Sequence, residues 1–162
     1  MLIVNHEFMM GKKNKNVIML EMSFNVHATE DEKKLLGILK KNFNIEESIF
    51  SKTDFEGYHG NPISKYNATI KNALAQHIFE IIFERLSSAD KKKLLDDISR
   101  NADSTKALYI RLDKSSLFEN GFRVGESNTF HFKFKPRIKY LKEASDFFRE
   151  LISSSNTEKG NL

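Results

Sequence analysis

Apolar residues alternate with polar ones along some stretches of this 162-residue chain and recur at helical spacing along others. From Asn16 to Val26, the residues Ile18, Leu20, Met22, Phe24 and Val26 fall on one side of an extended chain, the period of a half-buried strand. Thr29-Glu-Asp-Glu32 then carries a capping-box pattern, and Leu35, Leu36, Leu39 and Phe43 follow at helical spacing. Residues 49–55 predict a weaker strand. The stretch from Gly57 to Pro62, with two glycines and an Asn-Pro step, predicts a turn or loop. Tyr66, Ala68 and Ile70 alternate within a strand over 63–71. Leu74, Ile78, Ile81, Ile82 and Leu86 predict an amphipathic helix, and Ser87-Ser-Ala-Asp90 caps a short one carrying Leu94, Leu95 and Ile98.

The last third repeats the two periods. Leu108, Ile110 and Leu112 alternate on one strand, and Phe130, Phe132 and Phe134 on another, with a turn at Glu119-Asn-Gly121 between them. Pro136 ends the second strand or marks an edge. Leu141, Ala144, Phe148, Leu151 and Ile152 make a closing helix. Strands and helices mixed in this order predict an α+β fold: an antiparallel-rich sheet with helices packed on one face. No repeat, Pro/Gly linker or composition break divides the chain. One domain is expected over 16–153, with 1–15 and 154–162 as flexible termini. The Met9–Met10 pair before Gly11-Lys-Lys13 makes either methionine an alternative start to Met1.

Composition narrows the chemistry. There is no cysteine, so disulfides and thiolate metal sites are excluded. Asn5, His6 and Glu7 interrupt the first apolar stretch, which is too polar for a signal sequence, and no apolar run approaches a membrane span. A soluble, cytoplasmic protein without membrane contact is expected. The formal net charge of +4 permits an anionic partner without demanding one.

The parity of the two late strands points to a surface. With the leucines and phenylalanines turned to the core, Tyr109, Arg111, His131, Lys133 and Lys135 share the opposite face, and Arg137 and Lys139 follow just beyond. Aromatic and basic side chains on an open sheet suit base stacking and phosphate neutralisation. The same face also suits a dimer interface. Arg111 and Asp113 lie two apart on one strand and are expected to form a local ion pair, which leaves Lys114 to point toward a ligand. His27 and His59 are the best metal candidates, but no HxH or HxxxH spacing occurs. A third ligand would have to come from Glu30, Asp31 or Asp54. The amino end of the first helix carries Glu30, Asp31 and Glu32, which repel an anion there. No phosphate loop and no nucleophile elbow is present. No catalytic residue, metal or cofactor is expected.

Three segments occur in one order and spacing: His27-Ala-Thr-Glu-Asp31, Gly57-Tyr-His-Gly-Asn-Pro-Ile63 and Leu108-Tyr-Ile-Arg-Leu-Asp-Lys114. In this arrangement the chain resembles an archaeal family of RNA-binding proteins and predicted exosome subunits, over about residues 16–152. The resemblance implies a fold similar to the ribosomal protein that docks five-S ribosomal RNA, an archaeal cytoplasmic source and a homodimer. It brings no catalytic residue. The chain departs from the family after Lys114, where Ser115-Ser-Leu-Phe118 replaces a Gln-Ala-Ala-Tyr-like segment.

The expectation is a non-enzymatic RNA-binding protein, an accessory of RNA processing or of the exosome. Arg111, Lys114, Lys133, Lys135 and Arg137 would meet phosphates, Tyr58 and Tyr109 would stack bases, and His59 would present a hydrogen-bonding edge. The alternatives are a homodimeric interaction module using the same face, and a hydrolase built around His27 and His59.

Overall fold

The computed structural model describes residues 17–98, 106–119, 121–136 and 144–160. Asn16, Asn120, Arg137, Lys139, Leu141, the segment 1–15, and the side chains of Ile18 and of 154–160 lie outside the described residues.

Five strands form one sheet: β1 (Val17–His27), β2 (Ser51–Glu56), β3 (Pro62–Lys71), β4 (Leu108–Asp113) and β5 (Thr129–Pro136). Their order is β2-β3-β1-β5-β4, and every neighbouring pair is antiparallel. The helices are α1 (Glu32–Phe43), α2 (Asn72–Arg85), α3 (Ser88–Asp96) and α4 (Ala144–Gly160). The fold is α+β, as the two periods predict.

One face of the sheet makes the core. Leu20, Met22, Phe24 and Val26 of β1 are buried beside Tyr66, Ala68 and Ile70 of β3 and Phe130, Phe132 and Phe134 of β5. Leu108, Ile110 and Leu112 of β4 complete it. Leu35, Leu39 and Phe43 of α1, Ile78, Phe79 and Ile82 of α2, and Phe147 and Phe148 of α4 are buried with this face. Aromatic pairs fix the packing, with Phe79 edge-on to Phe134 at 5.1 Å and Phe43 edge-on to Phe132 at 5.7 Å between ring centroids.

Three details differ from the sequence expectation. The cap of α1 is Asp31 and not Thr29: Asp31 Oδ1 accepts from the Lys34 N–H at 3.2 Å, and its backbone is still extended. The glutamate of the expected box, Glu32, instead pairs with Lys52 of β2 at 3.0 Å. The weak strand begins at Ser51, after a 3₁₀ turn over Glu47–Ile49, and all six of its residues are exposed because β2 is an edge with one neighbour. The closing helix runs to Gly160, so the segment after Ser153 is helical that far.

β2 and β3 join in a tight hairpin. The Gly60 N–H donates to the Gly57 carbonyl at 2.9 Å, and the Gly57 N–H to the Asn61 carbonyl at 2.7 Å. Gly60 sits at φ 76°, a left-handed conformation that costs a glycine little.

If Asp31 is the working cap, Asp31→Ala should cost about 1 kcal/mol in urea denaturation and Thr29→Ala less than about 0.5 kcal/mol. The reverse ranking would restore the box at Thr29.

Candidate nucleic-acid interface

The residues between the buried positions lie on the other face of the sheet, away from the helices. The pairing register sets them in rows. Arg111, His131, Ser23 and Asn67 form one row across β4, β5, β1 and β3. Tyr109, Lys133, Glu21 and Thr69 form the next. Met19 and Lys135 stand beyond, and Asn25 and Lys65 stand on the other side.

The rows differ in charge. Lys133 and Lys135 both reach Glu21, at 3.5 and 2.9 Å, so this part of the face carries one net positive charge rather than two. The hydrogen bond from Lys135 is the main reason that the Glu21 carboxyl sits below the usual carboxylate range, ahead of the attraction of the two ammonium groups. The Lys133 ammonium also lies 5.4 Å from the centre of the Tyr109 ring. Tyr109, and after it Glu21, holds Lys133 above its ordinary value. Tyr109 itself is 42% exposed.

The Arg111 row borders a cleft of about 260 Å³, lined by Ser23, Asn25 and His27 of β1, Lys65, Arg111 and His131, with Glu126, Asn128 and Thr129 leading into β5. Among the described residues, neither Arg111 nor Lys65 has an ion-pair partner. The sequence expectation pairs Arg111 with Asp113, but Asp113 instead takes Arg123 at 3.2 Å and the Ser115 hydroxyl at 2.5 Å. That choice frees the Arg111 guanidinium. Between these cations sits His131. Burial is the first cause that lowers its pKa below the usual 6.5, and Arg111, Lys65 and Lys114 add to it. His131 is therefore a neutral imidazole at pH 7, able to accept or donate.

Lys114 does not point to open solvent. Its side chain is 4% exposed, and its ammonium donates to both Glu30 oxygens, at 3.0 and 3.1 Å, and to the Asn25 carbonyl. Its three donors are thereby taken. The expected phosphate contact gives way to a tie between the end of β4, the end of β1 and the turn into α1. Glu30 also accepts from the His27 N–H at 3.1 Å.

Tyr58 and His59 sit at the tip of the β2–β3 hairpin, just past the Ile63–His27 pairing, so they project from the same end of the sheet as the cleft. Tyr58 is 97% exposed, and its ring meets the His59 ring edge-on at 4.9 Å. The departing segment Ser115–Phe118 is a 3₁₀ turn. Ser116 and Leu117 are buried in it, and the Ser116 hydroxyl donates to the Asp113 carbonyl at 2.7 Å. It turns the chain and lines no part of the cleft. Among the described residues, no three His, Asp or Glu side chains come together as metal ligands.

The structure thus splits the expected site. Arg111 lines the cleft and Tyr58 and His59 stand apart at the hairpin tip, at the same end of the sheet, while Tyr109, Lys133 and Lys135 surround Glu21. Lys114 is structural, and Arg137 lies outside the described residues. Sequence reasoning missed Lys65, Ser23 and Asn25. The alternation that buries Tyr66 and Ala68 already turns Lys65 to the open face, but nothing local shows that β3 lies beside β1.

Two outcomes follow. Lys114→Met should destabilise by about 2–3 kcal/mol, toward the low end for stranding one partner of a buried pair because Glu30 stays partly hydrated. Arg111→Met should stay within about 0.5 kcal/mol. Equal costs in urea denaturation would refute the assignment. His131 has its pKa lowered by folding, so its neutral form contributes stability above pH 6.5, and this is lost as pH falls through the folded value. Glu21, also lowered, acts in a separate window below pH 4.5. Melting temperature between pH 7 and 5 should fall less steeply in His131→Gln than in the wild type.

A family described as RNA binding matches residues 19–136. An uncharacterised protein of Methanocaldococcus jannaschii is 32% identical over 135 residues, covering 76% of this chain and 90% of the relative. An RNA-binding protein of Pyrococcus abyssi is 32% identical over 124 residues, covering 73% and 80%. Two solved archaeal structures of the DUF54 family share the fold. The one from Methanothermobacter thermautotrophicus has a TM-score of 0.64 at 23% identity, covering 86% of this chain and 97% of its own. The one from Sulfolobus solfataricus has a TM-score of 0.66 at 21% identity, covering 86% and 98%. The family match spans all five strands and the rows of the open face, and the chain belongs to this RNA-binding family with archaeal members.

Proposed function

We propose that this chain is an RNA-binding protein without chemistry of its own, and that it takes single-stranded RNA across the open sheet face. The observation that carries the reading is the pair of unneutralised cations, Arg111 and Lys65, flanking a cleft on a face with exposed aromatic rings. Phosphates meet Arg111 and Lys65. Bases stack on Tyr109 and, at the hairpin tip, on Tyr58, with His59 offering a hydrogen-bonding edge. Lys133 and Lys135 share Glu21 and add one net charge, and Arg137 follows them in sequence. Such a surface reads backbone and shape more than base identity. An accessory role in RNA processing or on the exosome suits a binder of this kind.

A second reading is a homodimeric interaction module. The edge strand β2 favours it. All six residues are exposed, and with one neighbour the strand leaves an unpaired row of backbone donors and acceptors for a second copy.

Fluorescence anisotropy with labelled single-stranded and hairpin RNA at two salt concentrations separates the readings. Arg111→Met with Lys65→Met should weaken single-strand binding by about 100-fold or more, since each lost charge-assisted contact is worth roughly 1.5–3 kcal/mol. The salt slope should drop by about 0.7 per contact. Neutralising the trio with Glu21→Gln, Lys133→Met and Lys135→Met should cost about tenfold or less. Unchanged affinity in the Arg111/Lys65 variant would sink the cleft-centred reading. A tight dimer in sedimentation with no RNA affinity at low salt would replace it with the interaction module.

A further inference from the structure

We propose that the cleft is a subsite for the phosphate-bearing end of an RNA chain, a terminal phosphomonoester, rather than for a phosphodiester within it. The inference rests on the RNA-binding reading of the same face.

Donor number is the first argument. The Arg111 guanidinium and the Lys65 ammonium converge on one cleft with the His131 and His27 rings and the Ser23 hydroxyl. Guanidinium and ammonium alone bring eight N–H donors. An internal phosphodiester offers two non-bridging oxygens and one negative charge. A terminal monoester offers three oxygens and about −1.5 to −2 charge near neutral pH. Only the second matches the donors assembled here.

The wall of the cleft is the second argument. Glu126, on the loop that leads into β5, is the one acidic side chain lining the cleft. A chain that continued past the cleft on that side would bring its next phosphate toward this carboxylate. A chain that ends in the cleft brings no second phosphate past Glu126 and runs the other way, along the strands to the Tyr109–Lys133 row. That row lies two residues along β4 and β5 from Arg111 and His131, roughly 6.6–6.8 Å at strand spacing. This is a natural step from one nucleotide to the next. A volume of about 260 Å³ holds a phosphate with its sugar and leaves the following bases on the open sheet.

His131 makes the preference sensitive to pH. It faces Arg111 from β4, Lys65 from β3, the buried Lys114, and His27 and Glu126 across the cleft. A bound dianion offsets the cationic neighbours, so the ring takes up a proton and becomes another donor.

The test uses one oligonucleotide sequence with a 5′-phosphate, with a 3′-phosphate, or with hydroxyls at both ends. Anisotropy is measured at pH 8 and pH 6 with the wild type and with the Arg111→Met/Lys65→Met variant, after thermal melts show that the variant is folded. The expected result is at least tenfold tighter binding of one phosphorylated form, with a gain that changes between pH 8 and pH 6 and is absent in the variant. Adenosine monophosphate should compete with that form and inorganic phosphate less well. Equal affinity for all three ends overturns the inference while leaving the RNA-binding reading intact. A phosphate gain that survives in the variant also overturns it, since the end is then read elsewhere. Failure of the wild type to bind any of the RNAs removes both.

Discussion

The Lys114–Glu30 ion pair holds one end of the sheet together. β4 and β1 are not neighbours, since β5 lies between them. The Lys114 side chain spans that gap from the last residue of one motif to the turn that follows the other strand, where it finds both Glu30 oxygens and the Asn25 carbonyl. A lysine so buried is costly unless every donor is satisfied, and here every donor is. The consequence is geometric. The ends of β1 and β4 cannot splay, and the floor of the cleft under Asn25 is fixed. The segments His27–Asp31 and Leu108–Lys114 are therefore two halves of one contact. The hairpin segment Gly57–Ile63 joins them through the Ile63–His27 pairing. Three motifs scattered through the sequence are one place in the fold.

Charge on the open face is decided by who is already paired. Formal counting gives the Lys133 and Lys135 strand the stronger claim to an anion, with two lysines against single cations on β3 and β4. Glu21 reverses that order by sitting between the two lysines. Asp113 acts in the opposite sense: by turning to Arg123 and Ser115 it leaves Arg111 without a carboxylate. Two acidic residues, each on the same face as the base it was expected to neutralise or ignore, thus move the centre of positive potential from β5 to the β3–β4 flanks of the cleft. Such a potential is what a polyanion senses first, before any specific contact forms.

The elements were largely legible in the sequence because they rest on local periods. Alternation placed β1, β3, β4 and β5 and told which face of each is buried, since parity is a property of one strand. Helix α1 was visible from Leu35, Leu36, Leu39 and Phe43, but its cap was not, because Glu32, the glutamate of the expected box, pairs instead with Lys52 on β2. The same limit explains the site. Parity put Tyr109, Arg111, Lys133 and Lys135 on one face correctly, yet it could not show that Glu21 stands between the lysines or that Lys65 is two strands across. Those facts are strand order and register, set by β5 inserting beside β1. Lys114 was misread for a related reason: it stands just past the end of β4, where alternation no longer applies, so its direction depends on the turn it begins.

Because four strands contribute to the cleft, its geometry depends on pairings that are long-range in sequence. Lys65 reaches it through β3–β1, His131 through β5–β1 and Arg111 through β4–β5. No hairpin or helix–strand unit contains it, so no fragment of the fold presents the cations together. The opposite face answers for that precision. Phe43 against Phe132, and Phe79 against Phe134, lock β5 from below with edge-on ring contacts that tolerate little sliding. A slip of β5 by one residue would turn Phe132 outward and His131 inward at once. The aromatic core therefore does more than stabilise the domain. It fixes the register that puts a neutral imidazole between two unpaired cations, and so it fixes the chemistry of the face that the helices leave open.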